Sequence, residues 1–212
     1  MNNDIPTVRP ARESDRPDIA RCIAEGFEKD FSLFSTDVNT VAEALAEGIH
    51  PERFYVASLT GSIIAVAGIS VGPHRAVSTH YRSLRMHFGL LKGTLAKLVL
   101  RPEFECRLPY PDTTGFIEFV AVRKKFRRQG IATWLLKEAM KQAGFQTYVL
   151  DVIEKNTPAL SCYEKLGFQT FQKTKKHNGY TTLLMQWQAM PSSHPDNTCR
   201  NCPATSTVVK DS

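Results

Sequence analysis

The apolar positions of this chain change period several times, and each change marks an element. Thr7 to Pro10 reads as a short strand. Ser14 or Asp15 can cap a helix from Arg16 to about Lys29, in which Ile19, Ile23 and Phe27 recur on one face. A second helix is expected from Val38 to Ile49. Phe54 to Ser58 and Ile63 to Val71 are apolar runs of strand length, separated by Thr60-Gly61, which suits a hairpin turn. Phe116 to Val122, within a strand starting at Gly115, is almost continuously apolar, as a buried strand should be. Helical spacing returns from Ile131 to Gly144 through Ile131, Leu135 and Ala139, and stops at the glycine. Thr147 to Val152 is another strand, and Pro158 to Leu166 a short helix with proline in its first turn and Gly167 at its end. Phe168 to Lys173 and Tyr180 to Trp187 should pair around Asn178-Gly179, a strong hairpin signal. This order predicts a three-layer α/β domain with a mostly antiparallel mixed sheet flanked by helices. No internal repeat is visible.

Two stretches stand outside that plan. Residues 72 to 114 form an insertion in which Leu84, Phe88, Leu91, Leu95 and Leu98 make one helical stripe, with Arg85, Lys92 and Lys97 off it. The plain reading is a helix packed by that stripe against the domain, and the sharper one a basic amphipathic lid. Residues 191 to 212 are rich in Ser, Thr, Asn and Pro without periodicity, and are expected to be a disordered tail behind a domain of residues 1 to 190.

Composition changes the picture only where it is localised. The chain of 212 residues is 42% hydrophobic and 23% charged, which suits one ordinary domain with a sizeable core. Its net charge of +6 is concentrated: residues 72 to 114 hold seven cations against three anions, residues 123 to 128 hold five cations, and the remainder is net negative. Cations spread over a broad face would suggest nucleic acid, and this is not that pattern. The start of the chain lacks a basic and apolar leader, and no apolar run reaches membrane-spanning length, so a cytoplasmic protein is expected. Cys22, Cys106, Cys162, Cys199 and Cys202 are odd in number and scattered, which argues against a disulfide framework. Cys199 and Cys202 form a lone pair without a second, and the six histidines show no metal-ligand spacing, so no metal is expected.

Chemistry is most concentrated between residues 123 and 133. Five cations and Gly130 lie where a buried strand hands over to a helix. The first N–H groups of a helix have no intrahelical partner, and the positive end of its dipole favours an anion. Gly130 removes a side chain where a phosphate must approach.

With Val120-Ala121-Val122, then Arg127, Gly130 and Ala132, this junction resembles the acyl-CoA signature of the GNAT acyltransferase superfamily. The run from Asn156 through Ala159 and Tyr163 to Gly167-Phe168 resembles that family's second block, and Val8 to Asp15 its opening strand and turn. The resemblance covers most of residues 7 to 188. It implies a GNAT-like fold, acetyl-CoA as co-substrate, and direct attack of a primary amine on the thioester. The backbone from Arg128 through Gln129, Gly130, Ile131 and Ala132 to Thr133 would cradle the pyrophosphate, with the loop cations around it. Val120, Ala121 and Val122 would line pantetheine at a strand edge where two strands splay, and a backbone N–H there would polarise the thioester. Asn156 would hydrogen-bond pantetheine or the backbone at the bulge. Tyr163 would be the acid for the departing thiolate. For the base, Glu118 stands in an otherwise apolar strand four residues before Val122, and Asp151 ends the next strand twelve residues before Tyr163; both remain open. The acceptor, a small molecule or a protein, is not readable, because fold does not determine substrate. A homodimer is left open. The competing functions are a non-catalytic acyl-CoA sensor, and membrane or nucleic-acid binding through the basic insertion, neither of them the expected partner.

Overall fold

A computed structural model describes residues 6–105, 107–175 and 179–189. Its seven strands are β1 (Thr7–Pro10), β2 (Phe54–Leu59), β3 (Ser62–Ser70), β4 (Thr114–Val122), β5 (Thr147–Ile153), β6 (Gln169–Lys175) and β7 (Thr181–Gln188). They form one sheet in the order β1-β2-β3-β4-β5-β7-β6. Every neighbouring pair is antiparallel except β4 with β5. The helices are α1 (Arg16–Gly26), α2 (Glu28–Phe31), α3 (Val38–Ala46), α4 (Tyr81–Phe104), α5 (Ile131–Ala143) and α6 (Thr157–Lys165).

Alternation along the strands feeds two separate cores. One sheet face, with Phe54, Val56, Val66 and Ala121, packs against Ile19 and Ile23 of α1, Val41 and Leu45 of α3, and Leu84 and Phe88 of α4. The other, with Ala57, Ile64, Ile117 and Leu150, packs against Leu135, Leu136 and Ala139 of α5 and Tyr163 of α6. These are the three layers expected from the sequence. β4 is buried from Thr114 to Glu118, in keeping with its continuous apolar run. β6 is an exposed edge strand, and its Lys173 and Lys175 discourage further pairing.

Several boundaries differ from the sequence reading for identifiable reasons. The first helix ends at Gly26 and not near Lys29, because Phe27 leaves helical geometry at a φ of −114° and α2 starts a new turn. Asp15 does not cap α1 with its side chain. Its carboxylate pairs with Arg9 at 2.6 Å and accepts the Arg12 N–H at 2.7 Å, fastening the end of β1 to the helix start. α3 is capped by Asp37, whose Oδ2 accepts the Thr40 N–H at 2.8 Å. Asn178 of the last hairpin, Cys106, and the tail with Cys199 and Cys202 lie outside the described residues.

The insertion departs most. α4 is broken at Gly89, whose φ of 81° and ψ of 172° are not helical. The second arm therefore folds back on the first: a Cβ on Gly93 would stand 2.5 Å from Arg85 Cα, and the Lys97 ammonium lies 4.4 Å over the Tyr81 ring. The expected single stripe is thereby split. Leu84 and Phe88 are buried, whereas Leu91, Leu95 and Leu98 are exposed. The inward face of the second arm is made instead by Gly93, Ala96 and Phe104. Small residues at the crossing allow this close approach, so Gly93→Ala should separate the arms at a cost of about 1–3 kcal/mol. A urea unfolding midpoint equal to that of the unmodified chain would contradict the crossing.

Candidate active site

The site begins with two strands that part. β4 and β5 pair from Thr114–Thr147 to Ile117–Leu150 and no further. The cause lies in β4, where Gly68 of β3 pairs with Glu118 but Val66 pairs with Ala121, so that Ala67 faces two residues. Phe119 occupies this bulge with a φ of 52°, in the left-handed region. A bulky side chain there costs on the order of 1–3 kcal/mol, and the surroundings must hold it. Phe27 and Phe104 do so, meeting the Phe119 ring edge-on at centroid distances of 5.9 Å and 5.2 Å. Beyond the bulge, the edge of β4 that faces β5 has no strand partner.

The gap opens into a cavity of about 720 Å³. Val120, Ala121 and Val122 line it on one side, Asn156, Ala159, Cys162 and Tyr163 on the other, and Arg127, Arg128, Gly130, Ile131, Ala132 and Thr133 at its end. The anion-binding junction, the strand edge and the tyrosine of the sequence reading thus border one space. Gln129 does not line it; its side-chain amide donates to the Lys125 carbonyl at 3.3 Å. Gly26, Phe126 and Lys165 also border the cavity and were not singled out from the sequence, since nothing local marks them.

At the head of α5, Arg128 and Gly130 both have positive φ, 66° and 76°. A Cβ on Gly130 would meet nothing within 4 Å, so glycine serves the backbone conformation and leaves open space before the helix N-terminus. The five loop cations are less available as a block than their sequence suggests. Arg123 faces Asp18 at 3.4 Å and Glu25 at 3.9 Å, and Lys124 pairs with Glu28 at 2.6 Å. Arg127 donates to the carbonyls of Val122 and Glu25 at 2.9 Å and 2.8 Å, which ties the loop to the end of β4 and to α1. Lys125 lies over the Phe126 ring, and Arg128 has no ion pair among the described residues. A phosphate at the head of α5 would therefore meet helix N–H groups with Arg128, not five free cations.

On the facing helix, Asn156 caps α6 by accepting the Ala159 N–H at 3.3 Å, which leaves its amide nitrogen as a donor. Tyr163 is buried, and burial, with smaller contributions from Cys162 and Asp151, pushes its phenol above the ordinary range. The phenol therefore stays protonated and can act as a hydrogen-bond donor beside the cavity, although the same burial makes it a weaker acid than a free tyrosine. Cys162 contacts the Thr133 hydroxyl at 3.2 Å, and burial raises its thiol, so it packs α6 on α5 without the character of a nucleophile.

The two carboxylates expected near the reaction lie in unlike surroundings. Glu118 is buried and held by donors on both oxygens: Oε1 accepts the Ser70 hydroxyl and the Ala76 N–H, and Oε2 accepts the Arg75 guanidinium, with Nε at 3.1 Å. It does not border the cavity. Arg75 and Ser70 carry no distinctive sequence signal, and only folding brings them to Glu118. Asp151 is exposed, one residue past the last β4–β5 pair. Its charge reaches Tyr163 and also Tyr110 of the insertion, whose phenol is raised mainly by burial and further by Asp151. Tyr110 stacks on Phe116 at 6.0 Å, so the insertion forms part of this corner. No cluster of three His, Cys, Asp or Glu able to hold a metal occurs among the described residues.

Known proteins share this architecture. The solved N-acetyltransferase from Staphylococcus aureus Mu50 superposes with a TM-score of 0.57 at 17% identity, over 85% of this chain and 100% of that one. A chain of the NatC complex bound to Gag peptide and CoA does so with a TM-score of 0.51 at 18% identity, over 87% and 99%. In sequence, 66 residues are 38% identical to N-alpha-acetyltransferase 30 of Schizosaccharomyces pombe, 30% of this chain and 44% of that protein. The chain thus matches less than half the length of the curated relatives it resembles. The family described as acetyltransferase (GNAT) matches residues 23–168, which takes in the bulge, the loop before α5, the cavity and Tyr163. The chain belongs to the GNAT acetyltransferase family.

Proposed function

We propose that the protein is an N-acetyltransferase that moves the acetyl group of acetyl-CoA to the α-amino group of a polypeptide chain. The observation that carries the reading is the continuous space from the β4–β5 gap to the head of α5, bordered by a protonated tyrosine. That space suits a long thioester with a phosphate end. The curated relatives, named as N-alpha-acetyltransferases, support the choice of acceptor. Proximity of Glu118 to the gap in sequence is not matched by access, because its oxygens already accept four protein donors. Neither carboxylate lines the cavity, but Asp151 is exposed beside the point where the strands part and its charge reaches Tyr163, which makes it the better candidate for a base acting through water.

In this scheme the ammonium of the acceptor gives a proton through water to Asp151, and the free amine attacks the thioester carbon. A backbone N–H of the unpaired β4 edge stabilises the oxygen as it gains charge. The new C–N bond forms, the nitrogen gives up its second proton to water as the C–S bond breaks with its electron pair on sulfur, and the Tyr163 hydroxyl protonates the thiolate. The tyrosine is reprotonated from solvent as CoA leaves. The cytosol, where acetyl-CoA and nascent chains meet, is the compartment this reading proposes.

Three measurements test the assignment. Gly130→Asp puts a carboxylate and a Cβ into a position of left-handed backbone before the α5 N-terminus, and calorimetry should show CoA affinity lowered by at least about tenfold; unchanged affinity would place the phosphates elsewhere. Tyr163→Phe should keep CoA binding and slow acetyl transfer by about 10²-fold to 10⁴-fold. Because the native phenol stays protonated past its ordinary value of 10.0, Tyr163 should cause no loss of wild-type rate as pH rises to that value. Asp151→Asn should lower the rate and move the acidic limb of the pH–rate profile up toward the α-amino range of about 8, whereas Glu118→Gln should leave that limb in place. Glu118→Ala should instead destabilise the fold by about 3–5 kcal/mol, by stranding the buried Arg75 charge. The reverse pattern would make Glu118 the base.

A further inference from the structure

The second arm of α4 is apolar on both sides. Its inner side, Gly93, Ala96 and Phe104, is buried on the domain. Its outer side carries Leu91, Leu95 and Leu98 at helical spacing, 88%, 43% and 68% exposed. Leu90 at the turn, Met86 on the first arm and Val99 are exposed as well. Scattered exposed leucines need no explanation, but a ridge of three at successive turns, in a hairpin that exposes three more apolar side chains, does.

Charge identifies what could cover it. From Tyr81 to Arg101 the sequence holds Arg82, Arg85, Lys92, Lys97 and Arg101 and no Asp or Glu. Acids from elsewhere reach only the flanks: Glu43 faces His87, Glu47 faces His80, and Glu105 at the base pairs with Arg101. Lys92 donates to the Phe34 carbonyl, while Lys97 and Arg85 lie over the Tyr81 ring, and none of these contacts cancels a charge. A second copy seated on the ridge would bring Arg82, Arg85, Lys92 and Lys97 against like cations, with the acids of the hairpin, Glu103 and the neighbouring Glu105, confined to its base. The sequence after Pro191 is mostly polar and offers no run of apolar residues to match a leucine ridge. Leucines between cations on long side chains fit an apolar layer beneath a negative surface. Among the described residues no helix is long and apolar enough to cross a membrane, so the contact is peripheral.

We infer that the hairpin 81–104 docks on an anionic lipid surface, with Leu91, Leu95 and Leu98 entering the headgroup boundary and Arg82, Arg85, Lys92 and Lys97 meeting lipid phosphates. This assignment is independent of the acceptor. It also puts the transfer site close to the bilayer, because Phe104 at the base of the same hairpin packs on the bulge residue Phe119.

The test is co-sedimentation of the full chain with phosphatidylcholine vesicles, with and without phosphatidylserine, and sedimentation velocity without lipid. Binding should require phosphatidylserine, weaken with salt, and fall at least about tenfold in Leu91→Ser/Leu95→Ser/Leu98→Ser. That variant should keep its unfolding midpoint and its thiol release with a soluble acceptor. Should it not fold, Arg82→Glu/Lys92→Glu, which leaves the leucines in place, should lose vesicle binding to a similar degree. The inference is overturned by absence of binding to either vesicle, by equal binding with and without phosphatidylserine, or by full binding of a folded variant. A wild-type dimer that the leucine substitutions convert to monomer, with no vesicle binding, would also overturn it and make the ridge a self-association surface.

Discussion

Everything at the site depends on the refusal of β4 and β5 to stay paired. A parallel pair buried in the middle of a sheet would ordinarily satisfy its backbone groups along its whole length. Here one residue in left-handed conformation, Phe119, diverts β4 after Ile117, while β5 runs on to Ile153 still paired with β7 along its other edge. The cost is borne by a residue type that does not favour such a conformation, and it is offset by two edge-on aromatic contacts. The result is an unpaired strand edge inside a folded domain, which a ligand carrying amide groups can complete.

Polar interactions around the gap divide into those that build the wall and those left for a ligand. The Glu118 carboxylate joins β4 to Ser70 at the end of β3 and to Arg75 and Ala76 in the connection that follows. It thereby fixes the strand immediately before the bulge. Arg127 performs a comparable task after it, holding the loop to the carbonyl of Val122 and to α1. A buried charge paired in this way is structural first, because freeing it for chemistry would leave its partner unsatisfied. Tyr163, Arg128 and the amide of Asn156 carry no comparable obligation on the cavity side.

The insertion is part of both surfaces of the molecule that invite a partner. Through Phe104 and Tyr110 it packs on Phe119 and Phe116 beside the gap, and through Phe88 it stacks on Phe34 at 5.7 Å. Its far side presents leucines and cations. One hairpin thus joins the lipid-facing surface proposed above to the bulge beside the β4–β5 gap, without any contact between them other than its own length.

Much of this was legible in the chain itself. The period changes determined which segments are strands and which are helices, and the junction from Val120 to Thr133 with the block from Asn156 to Phe168 pointed to one family and one cavity. Such features are local: apolar spacing, a glycine in left-handed backbone and a helix start act within a few residues. What only the tertiary structure decided is where long-range partners meet. Glu118 looked like an open base in an apolar strand, and Arg75, more than forty residues away in sequence, makes it a buried pair. The leucine stripe from Leu84 to Leu98 looked like one buried face, and Gly89 with the crossing at Gly93 turned half of it outward. Periodicity counts residues along a helix and assumes that the helix is continuous. A single glycine with positive φ ends that assumption, and the packing of the two arms then selects which face is covered.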